Sequence, residues 1–142
     1  MANVFTLNIL SVDGLIYSGT TVTFVKFTTL SGELGIMANH IPFLTILKAG
    51  LVIYEGVHDN GVLFVSGGIV EVRNNTVNIL ADQSQRAEDL DEKLLLEAKK
   101  KAEEIMRSQK DTQSFYEAYA ELAKSTLLLR SIQELHKLRR KY

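Results

Sequence analysis

Glu33 and His40 have the best claim to chemistry in this chain. They share the segment Gly32–Gly50 with the only proline, Pro42, and three of the nine glycines. A carboxylate beside an imidazole can pass a proton, but acid–base work needs a nucleophile or a metal to act on. No GxSxG or HExxH pattern occurs, and there is no cysteine. His40, His58 and His136 stand far apart, outside any zinc-ligand spacing. No P-loop is present, and Gly67-Gly68 is too short for a phosphate loop; it fits a bulge or bend in a strand. Glu33 and His40 are therefore expected on a structured surface loop, with catalytic residues and metal ligands expected nowhere.

Composition supports that reading. The 142 residues are 46% hydrophobic and 23% charged, with a formal net charge of −1. Such a chain has no global field to hold nucleic acid or an anionic membrane. The absence of cysteine fits a reducing compartment. No apolar run approaches the roughly 20 residues of a membrane helix, and no basic residue precedes Lys26, so no secretory signal is expected.

The elements that must carry these residues fall into two unlike parts. Residues 1–86 hold 4 Lys/Arg and 6 Asp/Glu, against 12 and 11 in residues 87–142, and every glycine lies at or before Gly68. In the first part, Asp13-Gly14, Ser31-Gly32, Asn60-Gly61 and Asn74-Asn75 punctuate short runs rich in Val, Ile, Thr and Phe. Asn60-Gly61, between Leu51–Tyr54 and Val62–Val65, signals a hairpin. Many short strands at this spacing predict an antiparallel β-sandwich or flattened barrel.

In the second part the period changes from 2 to 3.6. Leu90, Leu94, Ala98, Ala102 and Ile105 form one predicted stripe, with Asp89 and Glu92 as a capping box. After the polar break Ser108–Thr112, a second helix is predicted to start at Ser114-Phe-Tyr-Glu117, with a stripe of Phe115, Tyr119, Leu122, Thr126, Leu129 and Ile132. The fold expected is thus an all-β sandwich, residues 1–86, followed by an antiparallel α-helical hairpin, residues 87–142. Two such stripes bury too little to offset the ordering of about fifty residues. The hairpin needs the β part or a partner, and can hold more than one docked position.

Arg130, Lys137, Arg139, Arg140 and Lys141 face only Glu134 after Glu121. The helix macrodipole explains part of this; the remainder points to an acidic partner. Nucleic acid is the weaker choice, because no aromatic residues are interleaved with the basic ones.

Several motifs, in collinear order, resemble one family. Gly32-Glu-Leu-Gly-Ile36 and His40-Ile-Pro42 follow its pattern Gly-x-x-Gly-Ile-x-x-x-His-x-Pro. Val65–Val72, Val77–Asp82, Arg86–Asp91 and Ala120–Lys124 follow at the expected distances. The chain resembles the epsilon subunits of bacterial F-type ATP synthases over nearly its whole length. That resemblance implies a non-catalytic rotor subunit with a sandwich of about ten strands and a regulatory helical hairpin. The sandwich would hold the gamma subunit and rest on the c-ring, with Glu33 and His40 at the c-ring contact. The helices would fold against the sandwich or extend into the alpha/beta catalytic head and inhibit ATP hydrolysis. Arg130, Lys137, Arg139 and Arg140 would then meet a beta-subunit loop. The implied location is the cytoplasmic face of the bacterial inner membrane, as a peripheral subunit.

Two departures bear on function. Many relatives read Leu-Pro-Gly-His where this chain has Met37-Ala-Asn-His40, so the fixed φ of a proline is missing. Some bind ATP through Ile/Leu-Asp-x-x-Arg-Ala; here Asp91 matches, but Leu94 replaces the arginine that would meet phosphate. ATP is therefore not expected as a regulatory ligand, and no cofactor is expected. A nucleotide-sensing module and a small nucleic-acid-binding protein are the competing readings.

Overall fold

The computed structural model describes residues 3–141; Met1, Ala2 and Tyr142, the ends of the two expected parts, lie outside the described residues. Nine strands come first: β1 (Phe5–Ser11), β2 (Gly14–Thr29), β3 (Gly32–Ile36), β4 (Phe43–Leu47), β5 (Gly50–Gly56), β6 (Asn60–Val65), β7 (Gly68–Arg73), β8 (Thr76–Ala81) and β9 (Ser84–Arg86). A single 3-10 turn, Ala87–Asp89, leads to α1 (Glu92–Ser108) and α2 (Gln113–Arg140). The expected order of sandwich and helical hairpin holds, with nine strands among the described residues where about ten were expected.

The 16-residue β2 joins the layers, pairing early with β1 and later with β3 and β5. The remaining order, β1-β8-β7-β4-β2-β5-β6-β9, closes part of the sheet on itself through the β1–β2 pairing. One pairing departs from the antiparallel expectation: β1 and β8 run parallel, Leu7 opposite Val77 and Ile9 opposite Ile79. Inside lie Phe5, Leu7, Ile9, Val25, Phe27, Val70, Val72, Val77 and Ile79, taken at alternate positions as a two-residue period requires.

Two turn expectations meet different outcomes. Asn74 and Asn75 have φ of 53° and 55° and join β7 to β8 as a two-residue turn, which asparagine tolerates. The hairpin signalled by Asn60-Gly61 forms as β5 and β6, but its turn is Val57–Asp59, and Asn60-Gly61 is already strand, with Gly61 paired to Tyr54. The glycine is there because the Tyr54 ring covers it and leaves no room for a Cβ.

β6 explains how the two parts meet. All of Gly61–Val65 is buried. Leu63 and Val65 enter the sandwich, whereas Val62 and Phe64 join Leu51 and Ala87 beneath Leu128, Leu135 and Leu138 of α2. A strand covered on both faces reads as a continuous apolar run.

The helix starts and stripes need correction. Asp91, not Asp89, caps α1, accepting from the Lys93 and Leu94 amides at 3.0 and 3.3 Å. Thr112, not Ser114, caps α2, accepting from Phe115 at 3.1 Å. Leu94 and Tyr119 are 62% and 59% exposed, and Thr126 is also exposed. The buried line of α2 is instead Ala118, Ser125, Leu128, Ser131, Ile132, Leu135 and Leu138. Ile132 of the predicted α2 stripe and Ala102 of the α1 stripe are buried as expected; counting large apolar residues missed the small members Ala118, Ser125 and Ser131.

Candidate functional site

His40 sits in the loop between β3 and β4. Its ring Nδ1 lies 2.8 Å from the Ile41 carbonyl, and its ring packs tilted against Phe43, with centroids 5.2 Å apart. The loop is pinned without a proline before His40. Asn39 takes φ 63°, its amide donates to Asn75 Oδ1 at 2.8 Å, and Asn75 Nδ2 donates to the Val4 carbonyl at 2.9 Å. Asparagine enters the left-handed region with little strain, and the Asn75 amide replaces the stiffness of a ring. Around His40, Met37 and Ile41 point to solvent; Leu30 is exposed as well, at the β2–β3 turn at the opposite end of β3.

Glu33 is not part of that cluster. It pairs with Lys26 at 3.4 Å and lines an open cleft of about 300 Å³ with Lys48 and Arg130, between the sandwich and α2. The two residues grouped by sequence therefore face different surroundings. Among the described residues, no group of three His, Cys, Asp or Glu could hold a metal ion.

The remaining sequence candidates separate as well. Arg139 donates to Glu88 at 3.1 Å. Arg130, Lys137 and Arg140 are exposed, with no ion-pair partner among the described residues. The Asp91 carboxylate is engaged as a helix cap, and Leu94 points to solvent. The open groove between α1 and α2, about 400 Å³, is lined by Glu117 and Glu121 against Lys101.

Two features were missed by sequence reasoning. The first is an apolar row on the outer face of the sheet. Ile46 lies opposite Ile69, Ile69 opposite Leu80, Leu80 beside Leu10, and Leu10 opposite Leu15. Ile46, Ile69, Leu80 and Leu15 are 56%, 44%, 54% and 62% exposed. A continuous apolar stretch of this kind marks an interaction surface. The signal was available in Phe43-Leu-Thr-Ile-Leu47, which is apolar on both faces.

The second is a polar joint under the end of α2. The Tyr17 hydroxyl donates to Asp59 at 3.0 Å, and the Tyr17 and Tyr54 rings lie 4.1 Å apart. Burial raises both hydroxyls. For Tyr17 the Asp59 hydrogen bond adds to it; Tyr54 is pushed up to about 12, with the Asp59 and Glu88 charges adding. Arg86, Glu88 and Arg139 line the same small cavity. The hydrogen bonds Tyr17–Asp59 and Arg139–Glu88 that close it span 42 and 51 residues, so no local pattern announces it.

Residues 4–87 match the family model for the ATP synthase delta/epsilon chain, β-sandwich domain. The chain is also 41% identical over 140 residues to the ATP synthase epsilon chain of Nitrosomonas eutropha, covering 98% of this chain and 99% of that one. The chain belongs to the ATP synthase epsilon family. The epsilon chain of Nitrosomonas europaea is 42% identical over 138 residues, with 96% and 98% covered. As an epsilon chain it is a non-catalytic subunit of the synthase. Two solved structures share its fold at low identity. A chain in the Euglena gracilis mitochondrial ATP synthase, described as OSCP/F1/c-ring, gives a TM-score of 0.67 at 20% identity, covering 92% of this chain and 78% of that one. One in the central stalk/c-ring of the Tetrahymena thermophila mitochondrial enzyme gives 0.56 at 13%, covering 89% and 95%. Among the described residues of this epsilon chain, no helix is long and apolar enough to cross a membrane.

Proposed function

We propose that this epsilon chain couples the gamma subunit to the c-ring and brakes ATP hydrolysis through its two helices. The observation that carries the brake is the separation of the two apolar clusters. The sandwich closes its own core, and α2 rests on a second, smaller cluster outside it. A docked element of that kind can leave without unfolding its support.

The outer row Ile46–Ile69–Leu80–Leu10–Leu15 is the proposed gamma surface, and the pinned His40 loop with Met37 and Ile41 is the proposed c-ring contact. Glu33 belongs to that contact only through its strand, since its side chain turns toward α2. Extended into the alpha/beta head, α2 would present Arg130, Lys137, Arg139 and Arg140 to an acidic beta-subunit loop. The subunit would then lie at the cytoplasmic face of the bacterial inner membrane, peripheral through the c-ring, and serve proton-driven ATP synthesis. ATP is not proposed as a ligand: Asp91 is engaged as a cap, Leu94 offers no cation, and the interhelical groove carries two carboxylates for one lysine.

The test is co-purification with gamma, followed by ATPase assay with the full chain and with a chain ending at Arg86. Assembly should persist and inhibition should fall without the helices. Equal inhibition by the shortened chain refutes the brake.

A further inference from the structure

Arg139 stands apart from the other cations of α2. It is the one with an ion-pair partner among the described residues: its Nη2 lies 3.1 Å from Glu88 Oε2. The other oxygen of the same carboxylate, Oε1, lies 3.6 Å from Arg86 Nη1. Arg86 is held in turn, because it ends β9, pairs with Leu63 of β6, and donates through Nη2 to the Ile16 carbonyl of β2. Three charged groups therefore run in series from the sandwich, through the connector, to the last turn of α2. They sit at the rim of the apolar contact made by Leu128, Leu135 and Leu138.

We propose that Glu88 is a latch: it holds Arg139 while the hairpin is docked and yields that guanidinium to an acidic partner when α2 leaves. The proposal rests on the brake reading and names a residue that biases the docked population. Two properties suit a latch over a permanent clamp. All three side chains are about half exposed, 45% for Arg86 and Glu88 and 50% for Arg139, so solvent screens the pairs and each adds little. The geometry is also exclusive: α2 cannot leave the sandwich and keep Arg139 on Glu88. A carboxylate on a partner thus competes with Glu88 for this one cation, whereas Arg130, Lys137 and Arg140 are available in the docked form.

The absence of native cysteine allows a direct test. Ser131 on α2 is fully buried, so the thiol of Ser131→Cys reacts only when the hairpin opens, and its labelling rate in excess reagent follows the open fraction. In the full-length chain, Glu88→Gln and Arg139→Gln should each raise that rate about two- to fivefold. The double variant should do no more than either single one, because both remove the same interaction. Sodium chloride should raise the rate of the parent and leave Glu88→Gln nearly unmoved. A thiol at exposed Thr20→Cys should label equally in all backgrounds. Unchanged rates, or effects that add in the double variant, overturn the latch. Those rates are read without the synthase, so the latch can fail while removal of the helices still relieves inhibition. Conversely, rates that rise as expected alongside unrelieved inhibition support the latch and sink the brake.

Discussion

Leu135→Ala should undock the hairpin and leave the sandwich folded. Leu135 is 5% exposed and lies in the cluster of Leu51, Val62, Phe64, Ala87, Leu128 and Leu138, none of which belongs to the sandwich core. Truncating a buried leucine to alanine costs about 2–5 kcal/mol through lost transfer energy and a residual cavity. About 3 kcal/mol multiplies the undocked population by about a hundred. Helices draw most of their stability from packing, so the amides of an undocked pair exchange more readily. Hydrogen exchange should therefore show the second half of α2 losing about a hundredfold in protection, with β1 and β8 unchanged. Ile79→Ala is the control. Ile79 is fully buried in the sandwich, so its truncation should lower protection in β1 and β8 and in the hairpin docked on the sandwich. If Leu135→Ala lowers β1 and β8 as much as α2, the two clusters form one cooperative unit and the separable hairpin is wrong.

Gly68→Ala should destabilise the sandwich by about 2–3 kcal/mol or more. Its φ is 146° and an added Cβ would overlap the Leu80 carbonyl oxygen, so a large drop in melting temperature is expected. Asp91→Ala removes the α1 cap and should cost about 1 kcal/mol, seen as increased fraying of Glu92–Ala98 by exchange. Tyr54 binds its proton more tightly folded, at about 12, than at its ordinary value of 10.0. Its contribution is then fully present below pH 10.0 and lost as pH rises toward about 12. Denaturant titrations across that interval should show stability falling, and Tyr54→Phe should flatten the fall.

Local physics decided much of this protein in advance. The glycine and asparagine turns, the two-residue period of β1, β7 and β8, and the change to a 3.6 period after Arg86 each depend on neighbours in sequence. For that reason the sandwich followed by a helical pair was legible, as was the lack of catalytic spacing around Glu33 and His40. What local reasoning could not supply is phase and pairing across distance. The buried line of α2 was misplaced because its contact uses Ala118, Ser125 and Ser131, whose size matters only once a surface lies against them. Asn60-Gly61 reads as a turn until Tyr54 is laid over Gly61. Glu33 and His40 are close in the chain, yet the alternation of a strand and the path of a loop send them to different sides. The joint of Arg86, Glu88 and Arg139 depends on a contact spanning 51 residues, and an exposed pair of that kind contributes too little energy to leave a trace in composition or period. Sequence determined which elements form, because that is settled within a few residues. Only the tertiary structure decided which faces meet, because that depends on shape and charge brought together after those elements exist.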